Sequence, residues 1–206
     1  MDIIKNNQEF DKTLRDYQKV AVNNIDNKYN SDIHNRYAAA IMPTGGGKSF
    51  IAIREIISFK DKKVLYFAPT NAITSQVKNH LFTQLIYPKM KEENPLVKEE
   101  KDYEFSEIDK LVEEYFPNLT FICYAKDNLE LSNEKESQVM EDATVFQNSN
   151  IGLIIADEAH RIGASSWEKT FQTLIDDHKE AKVIAITATP ERHDEQGKDM
   201  IDEIAR

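Results

Sequence analysis

The sequence predicts a single α/β domain with a mostly parallel central sheet and helices on both faces. Three observations point there. The chain has 206 residues, and at ~100–200 residues per domain that length suits one compact unit. Five short runs, 37–42, 64–68, 119–124, 151–156 and 182–187, are apolar throughout rather than alternating. Strands covered on both faces read this way, because both sets of side chains are buried. Stretches of helical length lie between several of them, and strand–helix alternation marks a parallel sheet joined by crossovers.

Each element has its own reason. Leu14, Tyr17, Val20, Ala21 and Ile25 recur at three- and four-residue steps, so 13–27 reads as an amphipathic helix. Strand 37–42 is followed by a helix over 48–59, strand 64–68 by a helix over 72–85. Residues 88–117 interrupt the rhythm: Pro88, Pro95 and Pro117 punctuate a stretch with ten acidic side chains. It reads as an exposed helical insertion with Ile108, Leu111, Val112 and Tyr115 as its inward stripe. Strands 119–124 and 151–156, a helix over 166–177 and strand 182–187 complete the domain, taken as 1–206.

Composition narrows the function. The formal charge is −10 and the pI is about 5.0, which argues against a surface coated for polyanions. Yet residues 1–90 hold 13 basic and 8 acidic groups, whereas 91–150 hold 6 and 16. A local nucleic-acid track on the first third stays compatible. No run approaches the ~18 apolar residues of a membrane span, and Met1-Asp2-Ile3 does not open a secretory signal. One cysteine, Cys123, precludes an internal disulfide. The expectation is a cytoplasmic protein with no membrane association. His34, His80, His178 and His193 have no zinc-ligand spacing, Trp167 reads as a helix-to-sheet anchor, and Lys60, Lys62 and Lys63 read as a solvated turn.

Two segments carry chemistry. Pro43-Thr44-Gly45-Gly46-Gly47-Lys48-Ser49 lies between a predicted strand and a predicted helix. Consecutive glycines let backbone N–H groups converge on one anion, and the helix adds its positive end. Lys48 supplies a mobile cation for β- and γ-phosphates, and the Ser49 hydroxyl can ligate Mg²⁺. The full phosphate-loop pattern has Gly where this chain has Met42. The second segment, Asp157-Glu158-Ala159-His160, follows the most apolar strand, at the sheet edge where open α/β folds bind ligands. Asp157 can hold Mg²⁺ through its hydration shell, and Glu158 can orient and deprotonate a water. His160 alone reads equally as structural.

Taken together, these segments resemble superfamily-two helicases and translocases. Residues 43–49 look like helicase motif I, 157–160 like the DEAH box, and Thr187-Ala188-Thr189-Pro190 like motif III. Leu14-Arg15-Asp16-Tyr17-Gln18 resembles the upstream glutamine motif, and Phe67-Ala68-Pro69-Thr70 resembles motif Ia. The context of the second and third motifs is most similar to the branch containing the helicase subunits of type III restriction enzymes. That family also tolerates residues other than Gly at the place of Met42.

The resemblance implies a three-layer, RecA-like phosphate-loop lobe that uses ATP and Mg²⁺. Gln18 would read adenine, with Arg15 and Tyr17 beside the base, Tyr17 reading equally as core. Thr44, Gly45, Gly46 and Gly47 would cradle phosphates, with Lys48 and Ser49 acting as above. His160, Thr187 and Thr189 would couple the nucleotide to the nucleic-acid path, and Pro69 and Thr70 would touch the sugar-phosphate backbone. It also implies DNA rather than RNA as the track. The motor in such proteins has a second lobe supplying an arginine, for which the 16 residues after Pro190 leave no room. The expectation is therefore an N-terminal lobe with little hydrolysis of its own. Two other readings stay open: an RNA-directed DEAH helicase lobe, and a nucleotide-binding module that docks a protein through 88–117.

Overall fold

Among the described residues five strands form one sheet in which every pairing is parallel. In chain order they are β1 (Tyr37–Ile41), β2 (Lys63–Ala68), β3 (Leu119–Cys123), β4 (Ile151–Asp157) and β5 (Lys182–Thr187), arranged β1-β5-β4-β2-β3. The computed structural model describes residues 7–32, 35–124, 146, 149–159 and 167–188. The helices are α1 (Asn7–Asp11), α2 (Asp16–Ser31), α3 (Lys48–Ser58), α4 (Asn71–Leu81), α5 (Tyr87–Glu93), α6 (Phe105–Tyr115) and α7 (Trp167–Asp177). None of them is long and apolar enough to cross a membrane.

Successive side chains of a strand point to opposite faces, and here both faces are covered. Val64, Tyr66 and Ala68 of β2 join Leu153, Ile155, Ile184 and Ile186 in a core with α1, α2, α3, α4 and α6. Leu65 and Phe67 join Ile154, Ala156, Val183 and Ala185 in a second core, with Phe171, Leu174 and Ile175 of α7. The uninterrupted apolar runs follow from this: in β4 all seven residues are buried. Each such Leu or Ile contributes about 1.5–3 kcal/mol by leaving water. The predicted parallel, two-faced sheet is the one observed.

Three helical details differ from the sequence expectation. Helix α2 starts at Asp16 rather than at 13. Arg15 is extended and donates its N–H to Gln18 Oε1 at 2.8 Å, which sets the start. Helix α1 was not expected; its Phe10 is buried and its ring stacks 6.4 Å from that of Phe50. Nor does the predicted helix over 72–85 end cleanly. Pro88 has no N–H to continue the ladder, and the chain widens into a π-helical turn, Phe82–Ile86, before resuming as α5.

Residues 88–117 are mostly exposed, with the expected stripe turned inward. Ile108 and Val112 are buried, Leu111 and Tyr115 pack against them, and the Tyr103 ring lies 4.9 Å from that of Phe82. Most of the acids face outward, and Glu93, Glu99 and Glu107 form ion pairs with Lys89, Lys91 and Lys98, whereas Asp109 pairs with Lys78 of α4. The exposed pairs among these contribute little to stability.

One buried charge cluster lies away from the sheet's carboxyl edge. Arg54 on α3 donates to Asp26 on α2 at 2.5 and 2.8 Å, to Asp11 on α1 at 3.3 Å and to neighbouring Glu55 at 3.3 Å. It ties three helices together. Glu55 is fully buried, and its Oε2 has no partner among the described residues. Burial pushes its carboxyl up to about 7, against the pull of Arg54. An acid raised on folding stabilises the fold fully below its unfolded pKa, and that contribution is lost as pH rises through the folded value. The window here runs from ~4.5 to about 7. Glu55→Gln should therefore gain on wild type by about 1–3 kcal/mol between pH 4.5 and pH 8, measured by urea unfolding. A difference independent of pH would contradict the assignment.

Candidate active site

Strand β5 sits between β1 and β4, with Ile41 opposite Thr187 and Asp157 opposite Ile186. The loops leaving β1 and β4 therefore emerge side by side at the carboxyl edge, flanking a wholly buried Thr187. Met42 extends the β1 pairing by donating its N–H to the Thr187 carbonyl at 2.9 Å.

The first loop is held in a shape few sequences allow. Gly45 and Gly47 both have φ of +78°, the left-handed region that favours glycine. A Cβ on Gly47 would also overlap the Gln18 amide nitrogen. Gly47 caps α3 with no side-chain hydrogen bond to the helix end, so N–H groups of the first turn keep their capacity to bind an anion. Gln18, itself buried, braces the loop: Nε2 donates to the carbonyls of Gly46 at 3.3 Å and Gly47 at 3.2 Å. Tyr17 donates its hydroxyl to Gly46 O at 3.1 Å and accepts from Arg15 at 3.0 Å.

The second loop is held from beneath. Asp157 is buried; its Oδ2 accepts the Tyr66 hydroxyl at 2.5 Å and its Oδ1 accepts the Glu158 N–H at 2.9 Å. Burial raises the Asp157 carboxyl above the ordinary range, while those two hydrogen bonds pull it back. Burial, then the Asp157 charge, hold the Tyr66 phenol well above its usual value, so it remains a donor. Tyr124 donates to the carbonyls of Asp157 at 3.0 Å and Glu158 at 3.1 Å. Glu158 has φ of +48°, uncommon for a residue with a Cβ. That turn brings its carboxylate to Lys48, Nζ to Oε1 at 3.4 Å.

Between the loops lies a cleft of about 390 Å³, lined by Arg15, Gln18, Thr44, Gly45, Gly47, Lys48, Ser49, Asp157 and Glu158 among others. Its volume suits a small-molecule site. A larger groove of about 780 Å³ along α2 and β1 has no carboxylate in its lining. Among the described residues no group of three or more His, Cys, Asp or Glu could hold a metal. Ser49 and Asp157 instead pair a hydroxyl with a carboxylate in one cleft, oxygen donors that suit Mg²⁺.

Most residues singled out in the sequence meet here. Pro69 and Thr70 do not line the cleft. They end β2, where Pro69 O accepts the Cys123 thiol at 3.4 Å and the Thr70 hydroxyl caps α4 by accepting from Ile73 N at 3.4 Å. His160 and Thr189 lie outside the described residues. Thr13, Phe50, Ile73, Gln76 and His80 also line the cleft; of these only His80 stands out in the sequence, and there only as a histidine without zinc-ligand spacing. Phe50 adjoins Ser49 and could have been suspected; α4 reaches the cleft only through the fold.

Sheet order and the two juxtaposed loops define a parallel α/β domain of the RecA-like phosphate-loop fold. The family model of the type III restriction enzyme res subunit matches residues 11–192, and the chain belongs to that family. It is also 26% identical over 168 residues to the ATP-dependent DNA helicase mph1 of Sclerotinia sclerotiorum. That match covers 79% of this chain, but the chain spans only 12% of that protein's length.

The support beneath Asp157 is open to a direct check. Tyr66→Phe removes the donor to Oδ2 and leaves a buried oxygen short of a partner, which costs about 1–3 kcal/mol. Chemical denaturation should show a loss of that size. No measurable loss would mean that the hydroxyl does not support the carboxylate.

Proposed function

We propose that this chain is the ATP-binding lobe, 1–206, of a DNA-directed helicase or translocase whose second lobe lies elsewhere in the protein. The observation that carries the reading is the Lys48–Glu158 pair across a cleft between a left-handed glycine loop and a buried carboxylate. Thr44, Gly45, Gly46 and Gly47 with the open end of α3 hold phosphates, and Lys48 turns from Glu158 to the β- and γ-phosphates. That move frees Glu158 to orient a water and take its proton.

Ser49 and Asp157 hold Mg²⁺. Each Asp157 oxygen already accepts one hydrogen bond, which favours contact through the ion's water. The ion, when bound, neutralises charge on the phosphates. Gln18 braces the loop and keeps one lone pair on Oε1 for adenine, with Arg15 beside it. His160, Thr187 and Thr189 relay the state of the site, and Pro69 and Thr70 contact the sugar-phosphate backbone without reading sequence. DNA, rather than RNA, is favoured by the relative's description as a DNA helicase and by the restriction-enzyme family. A cytoplasmic location fits a DNA-processing enzyme.

Two variants test the assignment. The isolated chain should bind Mg-ATP weakly, and Lys48→Ala should abolish binding in calorimetry, because it removes the cation aimed at the phosphates. Unchanged affinity would overturn the phosphate-loop role. In the protein with both lobes, Glu158→Gln should keep nucleotide affinity while steady-state hydrolysis falls ~10²–10⁴-fold, the usual cost of losing a positioned base. Equal loss of binding and hydrolysis would instead make Glu158 a structural residue.

A further inference from the structure

One wall of the cleft has no task in the reading above. It is formed by Phe50 of α3 with Gln76 and His80 of α4, and α4 packs on α3. Gln76 and His80 are four residues apart, so they share one face of α4. The His80 ring lies 5.3 Å from that of Phe50, tilted by 38°, and Phe50 in turn stacks on buried Phe10. A row of three rings thus runs from the core to the cleft.

The imidazole does not serve the core as a polar anchor. Its Nδ1 is buried and has no partner among the described residues, and leaving such an atom unpaired is costly. Burial holds its proton affinity below the ordinary histidine range, so the ring is neutral at pH 7. A neutral ring adds little to the capture of phosphate, for which Lys48 and the α3 end are already present. A flat heteroaromatic face backed by a second ring suits a flat heterocycle instead. Phe50 follows Lys48 and Ser49 directly along α3, so a ligand anchored there by its phosphates has its other end within reach of this wall.

We propose that His80, backed by Phe50, is a further base-binding residue of the cleft, its imidazole face stacking on the nucleobase whose edge Gln18 reads. The inference rests on the nucleotide reading and extends it to a residue outside the recognised motifs.

The test compares Mg-ATP with inorganic tripolyphosphate, which shares the phosphates and lacks the base. Calorimetry on the 206-residue chain would use wild type, His80→Leu, which fills the space without a π face, and His80→Phe, which retains one. His80→Leu should lose ATP affinity about tenfold, in line with base–aromatic stacking, with tripolyphosphate affinity unchanged. His80→Phe should stay within about threefold of wild type for both ligands. Unchanged ATP affinity in His80→Leu, or equal losses for both ligands, would overturn the proposal. Wild type binding neither ligand would overturn the nucleotide reading itself. Independently of any variant's folding, the His80 ring protons should shift on adding ATP to wild type and not on adding tripolyphosphate. Identical spectra with the two ligands would count against stacking.

Discussion

Parallel pairing of β5 with both β1 and β4 is the constraint on which the rest of the structure depends. It sets the ends of β1 and β4 one strand apart, in register to a residue. In that order Lys48, at the start of α3, meets the carboxylate of Glu158, 110 residues later in the chain. The constraint is itself hydrophobic in origin. Both faces of β4 and β5 are buried, so a slip of one residue would exchange the two cores.

Upon that frame, polar groups do the local work. The glycine loop is shaped by φ values that a Cβ would strain, and it is braced by the Gln18 amide. The acidic loop is shaped by Tyr66 and Tyr124, which bond a carboxylate oxygen and two carbonyls from below. Glu158 sits in an uncommon backbone region at the one place where its carboxylate meets Lys48. Strain of this kind persists where surrounding contacts over-determine it, which is common at functional sites.

Much of this was legible in the sequence. The five apolar runs correspond to β1 through β5; burial on both faces leaves β2, β4 and β5 no polar side to confuse the pattern, while edge strand β1 is apolar but partly exposed. Residues 43–49 and 157–158 were legible because glycine runs and paired acids at strand ends have few other uses. What stayed hidden depended on distant contacts. Helix α1 is too short to show a period and is anchored by Phe10 on α3. The role of α4 in the cleft could not be read because Gln76 and His80 meet Phe50 only through helix packing. Gln18 was read for a base, and its hold on the loop carbonyls needed coordinates to appear.

In the proposed function Lys48 exchanges Glu158 for the phosphates of a nucleotide held on the glycine loop. The most direct measurement is a crystal structure of the chain grown with Mg²⁺ and a non-hydrolysable ATP analogue. The account predicts the triphosphate seated on the backbone of residues 44–49, with Lys48 Nζ on its oxygens and moved off the Glu158 carboxylate. An analogue bound elsewhere, or seated in the cleft with the Lys48–Glu158 pair intact, would contradict it.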